Sequence, residues 1–156
     1  FGEFPVLGTG GVLGRSNDYL HDLPCVLIGR KGTIDRPQYM DTPFWCVDTI
    51  FFCVIKENNN AKFLYYMFHM IDWYAYNEAS GVPSLNSSTI EKIRVSVPSN
   101  SEQEAIAEVL SDMDAEIAAL EQRLEKTKAI KQGMMQKLLT GRIRLVDPST
   151  PVEASA

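Results

Sequence analysis

The sequence has no apolar run of membrane-spanning length, no Cys-X-X-Cys pair and no excess of basic residues. A transmembrane helix needs about 20 consecutive apolar residues, so we expect a cytoplasmic protein with no membrane partner. The three cysteines, Cys25, Cys46 and Cys53, lie in apolar surroundings. Buried free thiols are therefore favoured over disulfides or zinc ligation, and we predict no metal site.

Signals of catalysis are also scarce. The glycines of residues 8–11 are not followed by lysine, which argues against a nucleotide-phosphate loop. An enzyme built on Cys46 or Cys53 with His69 is disfavoured, because nothing beside them resembles an activated nucleophile. The net charge of -5 argues mildly against a nucleic-acid partner, so any basic face has to be local.

The longest periodic stretch of the chain runs from Ser101 to Gly141. Ser101 and Glu104 have capping-box spacing, and Gly141 supplies a C-terminal stop. Apolar residues between them recur first with alternating steps of four and three, as in a coiled-coil seam, and then less strictly. The predicted seam residues are Ile106, Leu110, Met113, Ile117, Leu120, Leu124, Met134 and Leu138. Such a rod is about 60 Å long and outruns the core beside it, although an amphipathic helix packed on its own domain is the alternative.

Charge changes sign along this stretch. Acidic side chains fill the first half as far as Glu121, and basic side chains dominate from Arg123 onward. Two such helices in antiparallel orientation would set the acidic half against the basic half. We therefore expect self-association through antiparallel rods, with the two globular heads at opposite ends.

Residues 1–99 read as a compact domain of mixed strands and short helices. Apolar and β-branched runs predict strands at residues 4–7, 25–28, 44–47, 49–55 and 93–97. One helix is predicted from a cap at Asn60 to about Trp73, and a short helix capped by Ser87 or Ser88 is expected to run to Lys92. The glycines of residues 29–32 predict a hairpin that presents Arg30 and Lys31 at its tip, with a solvated turn as the alternative.

The predicted fold class is α+β: a compact globular domain, residues 1–99, followed by one long coiled-coil helix. The helix covers residues 100–141, and residues 142–156 form a C-terminal tail. Because residue 1 is Phe, the chain is expected to be a piece of a longer product.

Several short blocks stand in a distinctive order along residues 5–145. They are residues 8–11, 26–34, 44–45 with 48–49, 63–66, 80–85, 93–98 with Glu102-Gln103, and 134–141 at the end of the rod. In this order they resemble a target recognition domain and the conserved spacer helix of type I restriction-modification specificity subunits. Such subunits usually carry two of each, whereas this chain has one, and the domain's opening segment is missing. The resemblance therefore suggests a C-terminal half or a trimmed half-length subunit. Two smaller departures are Pro98-Ser99, where the family has Pro-Pro, and Asp35, where glycine is common.

This resemblance implies a non-catalytic subunit that recognises one half of a bipartite site in double-stranded DNA. It also implies docking of a methyltransferase subunit, which carries S-adenosylmethionine, and a restriction subunit in the same assembly. No cofactor is expected in this chain. The DNA-contacting candidates are Arg30, Lys31, Arg36, Tyr76, Asn77, Ser80, Ser84, Asn86 and Ser87. The alternative function is a coiled-coil structural adaptor whose head binds protein.

Overall fold

The computed structural model describes residues 2–146, so residues 147–156 of the predicted 142–156 tail lie outside the described residues. The chain divides into two compact units, Phe1–Leu110 and Ser111–Ala156. Mixed strands and short helices precede one long helix. The predicted α+β class is thus confirmed, while the domain boundary expected at residue 99 stays a prediction.

Two small sheets form the first unit within the described residues. In one sheet, β1 (Phe4–Gly8) lies between β2 (Gly11–Ser16), which is antiparallel to it, and β5 (Trp45–Cys46), which is parallel to it. In the other, β3 (Cys25–Gly29) lies between β4 (Gln38–Met40) and β6 (Ile50–Cys53), both antiparallel. The strands predicted at residues 4–7, 25–28, 44–47 and 49–55 are present, although those around residues 44–55 are shorter than expected.

Strand β3 is buried at every position from Cys25 to Gly29. Successive side chains of a strand point to opposite faces, and β3 accordingly contributes to two apolar clusters. Cys25 and Leu27 pack in one cluster, and Ile28 packs in the other with Trp73. An uninterrupted apolar run therefore became a central strand that is covered on both sides.

Helix α1 (Ala61–Phe68) begins as expected, because Asn60 Oδ1 accepts a hydrogen bond from the amide of Phe63 at 2.9 Å. The prediction that this helix continues to Trp73 is wrong. Trp73 is buried and starts a 3₁₀ turn that ends at Tyr76, and its indole Nε1 donates to the carbonyl of Phe68 at 2.9 Å. The Phe68 carbonyl at the end of the helix thus accepts from the indole as well as from the backbone amide of Ile71 at 3.3 Å.

The strand predicted at residues 93–97 is absent, and these residues are irregular. Residues 29–32 are not a tight hairpin tip either. Strand β3 ends at Gly29 and β4 begins only at Gln38, while Lys31 forms an isolated bridge with Ser84. In both places the local pattern is suitable for strand pairing. Residues 29–32 pair with a different segment, and residues 93–97 pair with no strand among residues 2–146.

Helix α2 (Ser87–Ile90) is capped by Asn86, not by Ser87 or Ser88. The long helix α3 (Asn100–Leu139) is confirmed as one uninterrupted element of 40 residues. Its first intrahelical bond joins the amide of Gln103 to the carbonyl of Ser99, which makes Ser99 the N-cap residue. The capping box predicted at Ser101 does not form, and the Glu104 carboxylate accepts instead from the side-chain Nδ2 of Asn100 at 2.7 Å.

Within α3, Gln103 is 1% exposed. Its Oε1 accepts from the backbone amide of Asn60 at 2.9 Å, and its Nε2 donates to the carbonyl of Pro98 at 3.0 Å. One buried side chain therefore fastens the start of α3 to the start of α1. The resemblance included Gln103, but its burial could not be read from the seam pattern.

The second unit contains the rest of α3, whose seam faces solvent within the described residues. Ile117 is 54% exposed and Leu120 is 56% exposed. The helix stops as predicted, since Gly141 has a φ of 70° and its amide donates to the carbonyl of Leu138. No helix in the part of the chain that the structure describes has the length and apolarity to cross a membrane.

Candidate nucleic-acid interface

An open depression of about 660 Å³ lies where three loops of the first unit meet. It is lined by residues from the end of β3, from the turn before β6 and from the segment that precedes α2. The lining residues are Arg30, Lys31, Asp48, Thr49, Phe51, Glu78, Ser84, Leu85, Asn86 and Ser87. This main depression brings together five of the predicted DNA-contacting residues: Arg30, Lys31, Ser84, Asn86 and Ser87.

Backbone hydrogen bonds hold the three loops together. The amide of Arg30 donates to the carbonyl of Thr49 at 2.8 Å, and the carbonyl of Arg30 accepts from the amide of Leu85 at 2.9 Å. The amide of Gly32 donates to the carbonyl of Pro83 at 2.9 Å. The segment after β3 is therefore paired on both sides like a short strand, so its side chains project from a fixed backbone.

The guanidinium group of Arg30 is positioned by two neighbours. Its Nη1 donates to the carbonyl of Asp48 at 3.3 Å, and its central carbon lies 5.8 Å from the ring centroid of Phe51. A cation at this distance from an aromatic face is attracted to it. Arg30 remains exposed. Its side chain is therefore oriented while most of its N–H donors stay available for a ligand.

The loop between residues 77 and 84 is closed by Asn77. Its Oδ1 accepts from the amides of Ala79 and Ser84 at 3.1 and 2.9 Å, and its Nδ2 donates to the carbonyl of Ala79 at 2.9 Å. Asn77 was predicted to contact DNA, but this geometry engages its amide group within the loop. The same closure brings Glu78 to the main depression, where its carboxylate accepts from Thr89 Oγ1 at 2.5 Å.

Asn86 also has a structural role. Its Oδ1 accepts from the amide and the hydroxyl of Ser88 at 3.0 and 3.1 Å, which fixes the first turn of α2. Its Nδ2 makes no hydrogen bond within residues 2–146 and lies on an exposed residue. Ser87 is exposed beside it, so the start of α2 presents polar groups to the depression.

Arg36 lies in a second depression of about 290 Å³, together with the turn between β1 and β2. This second depression is lined by Thr9, Gly10, Gly11, Thr33, Arg36 and Gln38. A Cβ added to Gly32 would lie 3.7 Å from Thr9 Oγ1, so the glycine-rich turn is adjacent to the segment that carries Lys31. Gly11 has a φ of 109°, which glycine adopts at low cost.

The remaining two candidates line neither depression. Tyr76 is partly buried and packs against the cluster of Ile28, Trp73 and Leu85. Ser80 is exposed within the loop that Asn77 closes. Tyr76 therefore packs on the apolar core of the first unit, and Ser80 lies on the surface of that unit.

The main depression carries charges of both signs. Arg30 and Lys31 supply cations, while Asp48 and Glu78 supply carboxylates, which sequence reasoning did not select. Asp48 lies in the turn before β6, and this turn also faces the depression. Arginine suits the paired acceptors of guanine, and carboxylates accept from the exocyclic amine of cytosine. The arrangement is therefore suited to the reading of base edges more than to the neutralisation of a long phosphate backbone.

The three cysteine thiols have raised pKa values, whereas an activated cysteine nucleophile has a lowered pKa. Burial raises the pKa of Cys25 to about 12 and that of Cys53 to about 11, and it raises the pKa of Cys46. Reactive cysteines have depressed pKa values. Among residues 2–146 no group of His, Cys, Asp and Glu is arranged to hold a metal ion. The first unit (Phe1–Leu110), the head of the chain, thus offers polar recognition groups, and its thiols remain protonated at neutral pH.

Comparison with known proteins places the sequence among DNA specificity proteins. Residues 2–131 match the family described as the type I restriction modification DNA specificity domain. The chain is 35% identical over 63 residues to the type I restriction enzyme MjaVIII specificity subunit of Methanocaldococcus jannaschii, covering 40% of this chain and 15% of that protein. It is 25% identical over 112 residues to the EcoprrI specificity subunit of Escherichia coli, covering 71% of this chain and 28% of that protein.

A solved structure has a similar fold. The S subunit of a type I restriction-modification system from M. genitalium aligns with a TM-score of 0.67 at 17% identity. The alignment covers 87% of this chain and 38% of that subunit. This chain therefore corresponds to well under half of each of these proteins.

Proposed function

The chain belongs to the family of type I restriction-modification DNA specificity domains, and from this premise we propose that its first unit reads one half of a bipartite DNA site. The observation that carries the proposal is the main depression, where Arg30 and Lys31 stand beside Asp48, Glu78 and the start of α2. Base-edge recognition needs both donors and acceptors, and this surface presents both on loops that hydrogen bonds hold in place.

The two cations are proposed to have different roles. Arg30 is oriented by the Asp48 carbonyl and the Phe51 ring, as suits a bidentate contact to guanine. No interaction that orients the Lys31 side chain is present within residues 2–146, and its mobile ammonium suits a phosphate. Local positive charge on an acidic chain is sufficient if other subunits neutralise most phosphates.

The test is a selection of binding sites from random duplexes by the chain assembled with its methyltransferase partner. We expect enrichment of a discrete half-site. Arg30→Ala should weaken binding by about 1–3 kcal/mol and relax the sequence specificity at one base position. Lys31→Ala should weaken binding to all duplexes alike and should lower the slope of log affinity against log salt concentration by about one. The matched control is Lys56→Ala, an exposed lysine that lines neither depression.

Thermal stability should change by less than about 0.5 kcal/mol in these variants, as is usual for exposed side chains. Unchanged DNA affinity in both Arg30→Ala and Lys31→Ala would remove the main depression from the DNA interface. Binding that ignores DNA sequence altogether would instead favour the structural adaptor. In that case the head would bind protein, and the acidic balance of the chain would have its explanation there.

We further propose that the subunit is non-catalytic and docks the methyltransferase subunit, with a restriction subunit in the complete assembly. The exposed flanks of α3 are the proposed docking surface, because their charged side chains are not needed for packing. Lys128 forms an exposed ion pair with Glu125 at 2.8 Å, and Lys126 is exposed beside it. S-adenosylmethionine is assigned to the partner subunit.

The exposed seam of α3 supports self-association through antiparallel rods. Leu120 and Leu124 are 56% and 53% exposed, and each apolar side chain of this size gains about 1.5–3 kcal/mol on burial. Several such residues on each helix outweigh an association cost of about 4–15 kcal/mol. Sedimentation should show a dimer that Leu120→Asp dissociates and Gln122→Asp, off the seam, preserves. A monomeric parent at micromolar concentration would reserve the seam for another subunit.

A further inference from the structure

The segment that precedes α3 has the sequence of a strand but pairs with no strand among residues 2–146. Residues 94–97 alternate polar and apolar side chains, and Val95 and Val97 are 44% and 40% exposed. Within residues 2–146, the backbone of residues 94–97 neither donates nor accepts a hydrogen bond. Exposed backbone that is left unpaired in a β-prone segment is a template for the addition of another strand.

An apolar groove lies alongside this unpaired segment (residues 94–97). It has a volume of about 190 Å³ and is lined by Leu64 and Phe68 from α1, by Ile90 from α2, and by Ile93 and Val95. Strand addition gains affinity from backbone bonds and specificity from pockets that accept alternate side chains. The groove can therefore receive the apolar side chains of an added strand.

A complementary segment follows α3. Residues 142–146 alternate Arg142, Ile143, Arg144 and Leu145 before Val146. Ile143 and Leu145 are 41% and 81% exposed, and in an extended chain they point to the same side, opposite the two arginines. This tail segment (residues 142–146) thus has one apolar face and one basic face.

A helix of 40 residues, about 60 Å long, separates the two segments along the chain. They can pair between two copies. Antiparallel helices in register place the end of one α3 beside the start of the other, which is where the unpaired segment of the second copy ends. We propose that the tail segment of each copy adds as a strand to residues 94–97 of the other and places Ile143 or Leu145 in the apolar groove. This inference rests on the proposed antiparallel self-association.

Hydrogen exchange of the amides of residues 94–97 tests the pairing in the full chain. In the dimeric parent these amides should exchange at least about tenfold more slowly than in the monomeric Leu120→Asp variant, which corresponds to about 1.4 kcal/mol. The double substitution Ile143→Asp/Leu145→Asp should remove this protection while the protein still sediments as a dimer. Its matched control, Arg142→Ala/Arg144→Ala, alters the other face of the tail and should retain the protection.

The outcomes separate the two proposals. A dimeric parent whose residues 94–97 exchange as fast as in the monomer overturns the strand addition and leaves the self-association intact. Equal protection in parent and monomer would also overturn it, because the partner would then lie within the same chain. A monomeric parent overturns both proposals together.

Discussion

The substitution Gln103→Met isolates the contribution of one buried polar contact to the stability of the head. Gln103 is 1% exposed, and its two polar atoms bond the amide of Asn60 and the carbonyl of Pro98. Methionine has a similar length and volume but offers neither bond, so packing is largely conserved. The predicted effect therefore comes from two backbone groups that lose their partners.

The magnitude follows from those two groups. Asn60 and Pro98 are half-buried and each such hydrogen bond contributes about 0.5–1.5 kcal/mol, so the free energy of unfolding should fall by about 1–3 kcal/mol. Domains of this size are stable by only about 5–15 kcal/mol, and the loss should be evident in a denaturant titration. The Asn60 amide belongs to the residue that caps α1, so the start of that helix should loosen first.

Urea unfolding followed by tryptophan fluorescence, to which buried Trp73 and exposed Trp45 both contribute, provides the assay, and Gln122→Met on an exposed part of α3 provides the control. Hydrogen exchange of the Asn60 amide adds a local measurement, which should be faster in Gln103→Met and unchanged in Gln122→Met. A loss below about 0.5 kcal/mol, the range of ordinary surface substitutions, would refute the assignment of Gln103 as the residue that fastens α3 to α1.

Three further predictions concern other parts of the chain. Gly29→Ala should destabilise the head by about 1–3 kcal/mol in a urea titration, because the added Cβ would lie 2.0 Å from a backbone oxygen; Gly14→Ala, with no atom within 4 Å of the new Cβ, is the control, and equal losses would contradict this reasoning. Burial raises the pKa of Cys25 to about 12, so this thiol should resist thiol reagents at pH 7–8 in the folded protein. Rapid labelling would contradict the burial of this side chain. Lys126→Glu/Lys128→Glu should impair co-purification with the methyltransferase subunit, and a fully retained complex would move the docking surface to the head.

The elements that the sequence predicted well are those with a dominant local signal. The apolar run of β3, the Asn60 cap and the long heptad pattern of α3 each specify one structure whatever surrounds them. The glycine stop at Gly141 is similar, because its positive φ is a local property. In these places the local preference and the tertiary fold agree.

The errors occurred where a distant partner decides the outcome. Helix α1 stops at Phe68, where the last carbonyl accepts from the Trp73 indole, a contact that no periodicity reveals. Residues 93–97 have the strand pattern but pair with no strand in the described part of the chain. The turn at Asp48 reaches the main depression only because Thr49 pairs with the segment after β3. Candidate residues could be chosen by type, but their convergence depends on such long-range bonds.

The loop that Asn77 closes has a consequence for how recognition can change. Its two ends are tied by the bonds from Asn77 to residues 79 and 84, and Gly81 in between has no atom within 4 Å of an added Cβ. Loop length costs little free energy once the ends are fixed, since each doubling adds only about 0.6 kcal/mol. Insertions and substitutions at residues 80–82 should therefore carry little folding penalty. Diversification of the surface beside the main depression can proceed there while the strands beneath remain the same.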